Sequence, residues 1–347
     1  ITFAESEISE ISIIGSVTLP DTITNPSISE NSDLPEIWIL HTGGTIASKV
    51  DYVTGAVAAR FEPEELLDAI PELANHARIR TKKLGNMWSD DIRVRHWNAM
   101  MAAAEEAFSS GAVGVVITHG TDTMHHSAAA AAFAWAGQGE RPPGRIAFTG
   151  SQRSSDRGST DGTENLLAAV HWAAHGPEPT GENGDASVII MHAGSDDGVC
   201  AIMPGCSTRK FHSSKRNAFQ GINAEPLGFI SVGRNGECVI EMDARKPTRN
   251  IASKPAVFNE NIRILQLMSG PQLFADQIEL ATKYDAILFH GTGLGHLPIE
   301  DPNGDSPENT EMREAVTNYC LNGGTAVMTS QCIHGPIHMD VYSKGRD

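Results

Sequence analysis

The sequence predicts an α/β fold of two domains, in which the larger domain contains a doubly wound, mostly parallel sheet and the smaller one is also α/β. Short apolar, β-rich runs alternate with longer Ala-rich stretches, and this alternation is typical of βαβ units. Because the short runs are almost continuously apolar, we expect helices on both faces of the main sheet. In the larger domain the strands are predicted at 36–42, 113–118, 145–150 and 187–193, and the helices at 96–110, 123–137 and 163–175.

Two further apolar runs indicate where the larger domain ends. Residues 227–232 and 237–242 are separated by the tetrapeptide GRNG, and this spacing predicts a β-hairpin. A polar stretch with two prolines follows, which is typical of a linker. The larger domain is therefore predicted over 36–245 and the linker over 246–260.

The smaller α/β domain is predicted over 261–347. Its last predicted strand is not followed by a closing helix, so we expect this domain to be truncated. At the other end, residues 1–35 are rich in Ser, Thr, Glu and Pro, which predicts a linker or the tail of a preceding domain. The strands of the smaller domain are predicted at 262–268, 285–290 and 325–330, and its helices at 273–283 and 309–322.

The composition excludes several classes of function. The 43 acidic residues outnumber the 26 Lys and Arg, and the net charge of −17 argues against a basic face that binds nucleic acid or anionic lipid. No apolar run of about 18 residues is present, so no membrane-spanning helix is expected. The five cysteines are odd in number and widely spaced, which favours a reducing compartment over a disulfide framework or a zinc motif. These features predict a cytoplasmic globular protein.

The informative residues follow the predicted strands, because ligands of parallel sheets bind at the carboxyl ends of strands. The first strand leads into TGGTIAS at 42–48, where two glycines permit a tight turn and expose backbone N–H groups beside Thr45. A strand-to-helix turn without chemistry is the alternative for this segment. A phosphate loop is disfavoured, because the Gly-Lys-Ser/Thr ending is absent.

The second predicted strand leads into HGTDTM at 119–124. A hydroxyl beside a carboxylate, as in Thr121 and Asp122, is typical of a nucleophile or a proton relay. The alternative is that one of these two side chains only caps the helix that follows. The third strand is followed by a dense polar cluster at 151–157, for which a solvated loop is the alternative.

Together, the segments at 42–48 and 119–124 resemble the two signatures of the L-asparaginase/glutaminase amidohydrolases. The resemblance covers about 36–347 and implies an asparaginase-like two-domain fold. Three other segments, at 49–57, 152–157 and 209–212, are similar to the D-type subunit family of archaeal glutamyl-tRNA(Gln) amidotransferases. That family carries an additional N-terminal β-barrel and a longer C-terminus, so residues 1–35 are expected to be a remnant linker of a missing barrel.

The resemblance implies five catalytic residues. Thr45 matches the nucleophile of the family, and Tyr52 matches the residue of a mobile loop that activates it. Thr121, Asp122 and Lys210 match a second triad, in which a hydroxyl is connected through a carboxylate to a lysine. A lysine amine that is partly removed from water can act as a base through the neighbouring hydroxyl.

Four further residues are implied to bind the substrate. Ser89 matches the serine that binds the α-carboxylate, and Asp90 stands where the family has Gln or Glu and would accept from the α-ammonium group. The backbone N–H groups around Gly44 and Gly120 are placed to hold an oxyanion.

Some neighbouring residues compete for these roles. Lys215 and Arg216 lie close to Lys210 in the sequence and are rivals for the proton relay. His125 and His126 are expected to line or cap the helix after 119–124, although a tuning role beside Asp122 is the alternative.

The predicted function is a glutamine amidohydrolase that releases ammonia through an acyl-Thr intermediate and supplies it for the conversion of Glu-tRNA(Gln) to Gln-tRNA(Gln). The family implies a homodimer within a heterotetramer, in which a kinase/transamidase partner, the E-type subunit, holds most of the tRNA and uses ATP and Mg²⁺. No cofactor or metal is expected in this chain. The alternatives are a free-standing L-asparaginase of amino-acid catabolism and a non-catalytic module that binds an amino acid.

Overall fold

The computed structural model describes residues 33–44, 46, 48–50, 57–59, 69–154, 158–243 and 245–346, with the backbone alone at 48–50 and 57–59. Two of the predicted catalytic residues, Thr45 and Tyr52, lie outside the described residues. So do nearly all of the predicted linker at 1–35 and residues 155–157 of the polar cluster after the third predicted strand.

The described strands and helices follow the predicted alternation. The strands are β1 Glu36–Gly43, β2 Ser48–Val50, β3 Val57–Ala59, β4 Arg78–Met87, β5 Gly114–Thr118, β6 Arg145–Thr149, β7 Val188–His192, β8 Val199–Pro204, β9 Thr208–Lys210, β10 Phe219–Gly221, β11 Gly228–Val232, β12 Cys238–Met242, β13 Ile264–Met268, β14 Ala286–Gly291 and β15 Thr325–Ser330. The helices are α1 Val94–Ser109, α2 Met124–Ala136, α3 Gly162–His175, α4 Asp276–Glu279 and α5 Pro307–Leu321.

The main sheet has eight strands in the order β12-β11-β8-β7-β6-β5-β1-β4. The five strands from β7 to β4 run parallel, whereas β7, β8, β11 and β12 pair antiparallel. The sheet is therefore mostly parallel, as predicted, and the predicted hairpin is the pair β11–β12. Two of its strands, β4 and β8, were not predicted.

Helices cover both faces of this sheet, and each face has its own core. On one face, Leu166 and Trp172 of α3 pack with β-strand residues such as Ile39. On the other face, Met100 of α1 and Trp135 of α2 pack against the opposite side of the same strands. All five of these side chains are at most 2% exposed. The prediction of a sheet with two covered faces is confirmed.

A second, smaller sheet contains β13, β14 and β15 in parallel register. Its core is formed by apolar residues that include Leu273, Phe289 and Met312, with α5 supplying Met312. This α/β unit has the strands and helices that the sequence predicted after the linker. Within the part of the chain that the structure describes, no helix is both long and apolar enough to cross a membrane.

The predicted linker at 246–260 lies against the larger unit. Arg141 N donates to Asn250 O at 2.9 Å, and Ala252 N donates back to Arg141 O at 2.8 Å. Further along, the Phe258 ring meets Trp97 edge to face at 6.0 Å. These contacts attach the segment to the surface that α1 and α2 help to form, and the domain boundaries themselves stay a prediction.

Candidate active site

The candidate site lies at the carboxyl ends of β1, β5 and β6, which are neighbours in the sheet. Parallel strands bring these ends to one edge, so the loops after them come together. A short 3-10 turn at Ser89–Asp91, shortly after the edge strand β4, joins the same group of loops. The sheet order therefore collects three predicted segments that are far apart in the sequence.

Two glycines let the loop after β1 approach its neighbours closely. Gly43 and Gly44 have φ angles of 117° and 89°, a region that favours glycine. A Cβ at Gly43 would lie 2.4 Å from Met87 N, and one at Gly44 would lie 2.5 Å from Gly120 N. The backbones of the two predicted signature segments are thus in direct contact.

Gly120 makes the next close contact, with Ser89. A Cβ at Gly120 would lie 2.8 Å from the Ser89 Cβ, and Ser89 is buried. Thr123 Oγ1 donates to Ser89 O at 2.5 Å, and Thr123 N donates to Ser89 Oγ at 3.4 Å. Asp90 follows Ser89 and is exposed. The structure therefore places Gly44, Gly120, Ser89 and Asp90 side by side.

Lys210 brings together the predicted second triad. It ends the short strand β9, and its Nζ donates to Thr121 Oγ1 at 2.8 Å and to Asp122 Oδ1 at 2.7 Å. The Lys210 side chain is 8% exposed, whereas that of Asp122 is 70% exposed. The lysine is thus enclosed, whereas its carboxylate partner is exposed to solvent.

The structure disfavours the alternatives to this triad, which are a capping role for Thr121 or Asp122 and a rival cation in place of Lys210. The N-terminal cap position of α2 is Thr123, and both Thr121 and Asp122 turn to Lys210 instead. Arg216, one of the rivals of Lys210, donates to Asp197 and to Ser159 O. Lys210 is therefore the cation that contacts the predicted hydroxyl and carboxylate.

The loop after β6 approaches Thr121 from the other side. The Thr121 hydroxyl donates to Gln152 Oε1 at 3.4 Å, which leaves its oxygen to accept from Lys210. Gln152 Nε2 and Ser154 Oγ are buried, and neither has a hydrogen-bond partner among the described residues. These two polar groups are free to meet a polar ligand.

Sequence reasoning missed the residue that shapes this loop, which is Asp161. Its fully buried carboxylate accepts from the Ser151 hydroxyl at 2.8 Å, from Gln152 N at 3.0 Å and from Arg153 N at 3.1 Å. Asn165 Nδ2 donates to it at 3.2 Å. An Asp two residues before the predicted helix at 163–175 was the one available signal, and that signal predicts a helix cap rather than a loop anchor.

Sequence reasoning also missed a buried hydrogen-bond chain behind Gly120. Trp97 Nε1 donates to Ser127 Oγ at 3.0 Å, the Ser127 hydroxyl lies 2.8 Å from His119 Nε2, and His119 Nδ1 lies 2.7 Å from Gly120 O. Because a carbonyl can only accept, Nδ1 carries the proton and Nε2 accepts from Ser127. These hydrogen bonds therefore fix the neutral His119 ring in one tautomer.

Burial keeps two histidines near the site uncharged. Desolvation lowers the pKa of His119 to about 4, although the hydrogen bond with the Gly120 carbonyl acts in the opposite direction. Desolvation also lowers the pKa of His125 to about 4, and the neighbouring cations, which include Arg209 and Lys210, act in the same direction. Both imidazoles are neutral at pH 7, so neither ring places a second positive charge near Lys210.

A cluster of acids near the start of α3 already has partners within the protein. His192 Nε2 lies 3.0 Å from Glu164 Oε2, and Gly198 N donates to the same oxygen at 2.8 Å. The hydrogen bond with His192 is the main cause that lowers the pKa of Glu164. Asp197, the third member of the group, accepts from Arg216. These groups form a structural network beside the site.

Comparison with known proteins agrees with this fold. A family model described as "Asparaginase, N-terminal" matches residues 36–243. The D-type subunit of the glutamyl-tRNA(Gln) amidotransferase of Thermofilum pendens is 36% identical over 315 residues, which are 90% of this chain and 64% of that protein. Its namesake in Halobacterium salinarum is 35% identical over 336 residues, which are 92% of this chain and 71% of that protein.

A solved structure agrees as well. The thermostable L-asparaginase from Thermococcus kodakarensis aligns with a TM-score of 0.68 and 26% identity, over 90% of this chain and 84% of that one. The chain belongs to the asparaginase family. Its predicted asparaginase-like fold and its resemblance to the D-type amidotransferase subunits are both confirmed. The chain spans about two thirds of the length of these curated relatives, from 64% to 71%.

Proposed function

We propose that this chain is an amidohydrolase that releases ammonia from glutamine, as the ammonia-supplying subunit of a tRNA-dependent amidotransferase. The observation that carries the proposal is the contact of Lys210 Nζ with both Thr121 Oγ1 and Asp122 Oδ1, at 2.8 and 2.7 Å. A hydroxyl, a carboxylate and an enclosed lysine at the carboxyl ends of parallel strands form a proton relay. A binding module has no need of such a relay.

The reaction in this proposal passes through an ester of Thr45. The Thr45 hydroxyl attacks the carboxamide carbon, the C–N bond breaks, and ammonia leaves with the proton that the hydroxyl gave up. Water then hydrolyses the ester and releases glutamate. In this scheme Lys210 relays the proton through Thr121 Oγ1, and Asp122 holds the lysine in place.

The substrate is held by charges at the edge of the same site. Ser89 lies beside Gly120, where its hydroxyl and nearby backbone N–H groups suit an α-carboxylate. The exposed carboxylate of Asp90 suits an α-ammonium group. The closely packed turns at Gly44 and Gly120 supply the N–H groups for the oxyanion, and each such donor is worth about 2.7–4 kcal/mol in known hydrolases.

The names of the relatives support the larger assembly. Because they are D-type subunits of glutamyl-tRNA(Gln) amidotransferases, we propose a homodimer within a heterotetramer whose E-type partner binds most of the tRNA and uses ATP and Mg²⁺. The net charge of −17 supports this division of roles, since an acidic surface is a poor holder of tRNA.

A free-standing L-asparaginase is the second candidate. It is less favoured, because the Thermococcus kodakarensis L-asparaginase is 26% identical whereas the amidotransferase subunits are 35% to 36% identical. The two functions differ in their dependence on partners. We therefore propose to measure ammonia release from glutamine and from asparagine by the chain alone, with the E-type partner, and with both that partner and Glu-tRNA(Gln).

We expect glutamine to be the preferred substrate and its hydrolysis to rise when the E-type partner and the charged tRNA are both present. Strong asparagine hydrolysis by the isolated chain, unchanged by partner and tRNA, would establish the second candidate instead. Absence of ammonia release under every condition would contradict both functions.

A further inference from the structure

Far from the candidate site along α3, three metal-ligating side chains converge. His76 follows the 3-10 turn Pro71–Asn75 that leads into β4, His171 lies near the end of α3, and Cys238 begins β12. His76 Nδ1 and His171 Nδ1 are 2.9 Å apart, and one ligand atom from each of the three residues lies within 4.8 Å of the others. His76 is buried, and the other two are half-buried.

Hydrogen bonds orient the His76 ring as they do in metal sites. His76 Nε2 lies 2.8 Å from Gly236 O, and a carbonyl can only accept, so Nε2 carries the proton and Nδ1 presents its lone pair to the cluster. A histidine that binds a metal typically donates its other ring N–H to a carbonyl or carboxylate in this way. His175 Nε2 also donates, at 2.8 Å, to the carbonyl of His76 and fixes the backbone there.

From these contacts we propose that His76, His171 and Cys238 bind one divalent transition-metal ion, with Zn²⁺ as the best match. Two imidazole nitrogens and one thiolate are the donor set that zinc prefers, whereas Mg²⁺ and Ca²⁺ require oxygen ligands. A solvent molecule completes the four-coordinate shell, because the structure brings three protein ligand atoms together. On binding, the thiol of Cys238 releases its proton to solvent.

The two nitrogens are close to the spacing that a tetrahedral ion needs, whereas the sulfur, which lies within 4.8 Å of them, would move closer. With bonds of about 2.0 Å to nitrogen and about 2.3 Å to sulfur, the nitrogens lie about 3.3 Å apart and each lies about 3.5 Å from the sulfur. The two nitrogens would therefore separate by about 0.4 Å from their present 2.9 Å. His171 would move its proton to Nε2, since without an ion its Nδ1 donates to His76.

Such an ion would join three parts of the chain that are distant in sequence. His76 and His171 are 95 residues apart, and Cys238 belongs to the hairpin at the opposite edge of the sheet from β4. The helix α3 that carries His171 also carries Asn165, which donates to the Asp161 anchor of the candidate site loop. An ion bound there would fix the far end of this helix to the segment before β4 and to the β11–β12 hairpin.

The test uses the full chain, stripped of metal and kept reduced, and then titrated with Co²⁺ or Zn²⁺. We expect one ion per chain after gel filtration, and a cobalt spectrum with a thiolate-to-metal charge-transfer band and the visible bands of tetrahedral coordination. Cys238→Ser should abolish the charge-transfer band. It should weaken Zn²⁺ binding by more than the roughly 10- to 100-fold that loss of an outer partner causes.

Cys332→Ser is the matched control, because Cys332 is an exposed cysteine with a histidine, His334, two residues away. This variant should keep both the charge-transfer band and the affinity. His171→Gln, which leaves the cysteine in place, should also weaken binding and serves if Cys238→Ser does not fold. The proposal is overturned if the wild-type chain retains no ion after gel filtration. It is equally overturned if the charge-transfer band persists in Cys238→Ser or disappears in Cys332→Ser.

Discussion

The tripeptide His-Gly-Thr occurs at the end of a parallel strand in each of the two sheets, and only one copy lies in the candidate active site. In the larger sheet it is His119-Gly120-Thr121, directly after β5, and in the smaller sheet it is His290-Gly291-Thr292, at the end of β14. Both copies therefore have the same local sequence, and both lie at the carboxyl end of a parallel strand.

The surroundings of the two threonines differ. Thr121 accepts a hydrogen bond from Lys210, which also holds Asp122. Thr292 turns to its own loop, where its hydroxyl donates to His296 O at 3.4 Å and its backbone pairs with the same residue. The end of a strand provides an accessible hydroxyl, and the catalytic environment comes from a lysine 89 residues away in the sequence.

The strongest test of this comparison removes each hydroxyl in turn. We expect Thr121→Ala to lower the kcat of ammonia release by about 10²–10⁴-fold, which is the usual contribution of a proton-transfer group, with the fold retained. Thr292→Ala is the matched control and should keep the wild-type rate. Lys210→Met should resemble Thr121→Ala, and the double variant should be little worse than either, because residues that act as a unit are not additive.

Steady-state rates of ammonia release measure these effects, and circular dichroism verifies that each variant is folded. A folded Thr121→Ala or Lys210→Met variant that works at nearly the wild-type rate would mean that this triad is not the relay. Equal losses in Thr121→Ala and Thr292→Ala would mean that the comparison between the two sheets is wrong.

A second test concerns the glycines next to each copy. A Cβ at Gly44 would lie 2.5 Å from Gly120 N, and the nearby atoms are backbone that cannot move aside. We expect Gly44→Ala to lower the free energy of unfolding by about 2–5 kcal/mol, from a positive φ and from overpacking. Gly293 also has a positive φ but has open space around it, so Gly293→Ala should cost only about 1–2 kcal/mol.

Urea denaturation of both variants measures this difference. Equal losses of stability would contradict the close approach of the two signature loops. Gly44→Ala should also reduce activity in its folded fraction, since it separates the loop after β1 from Gly120.

The sequence predicted the buried part of the fold well, because continuous apolar runs fix where central strands lie. The strands β1, β5, β6 and β7 were all predicted to within about two residues. The edge strand β4 was missed because its sequence RIRTKKLGNM is largely polar, and an edge strand needs little apolar surface. The predicted linker at 246–260 also packs more closely on the larger unit than its composition indicated.

The candidate site was predicted only in part from local pattern. The positions of Thr121 and Asp122 follow from their place after a strand, whereas the role of Lys210 came from the family resemblance. Asp161 was missed because its partners include the backbone N–H groups of Gln152 and Arg153, and backbone donors leave no trace in a sequence. The cluster around His76 was missed because its members come from three elements far apart in the chain.

The smallest expected effect is on the pH dependence of stability, in which the histidines of the two copies can be compared. Burial lowers the pKa of His119 to about 4, from an ordinary value of 6.5. Between these two values the unfolded chain binds a proton that the folded chain does not, so stability falls as the pH falls from 6.5 towards 4. From pH 7 to pH 5, His119 should lower the free energy of unfolding by about 2 kcal/mol.

The variant His119→Gln should remove that part of the pH dependence, whatever its effect on stability at pH 7, because glutamine does not titrate. His290→Gln is the matched control, because it leaves His119 and its hydrogen bonds in place and should therefore keep the part of the pH dependence that belongs to His119; the His290 ring contacts the Gln266 side chain at 3.2 Å. Urea denaturation of the wild type and both variants at pH 7 and pH 5 gives the three differences. If His119→Gln loses as much stability between these pH values as the wild type does, His119 is not held neutral by burial, and the hydrogen-bond chain behind Gly120 is assigned wrongly.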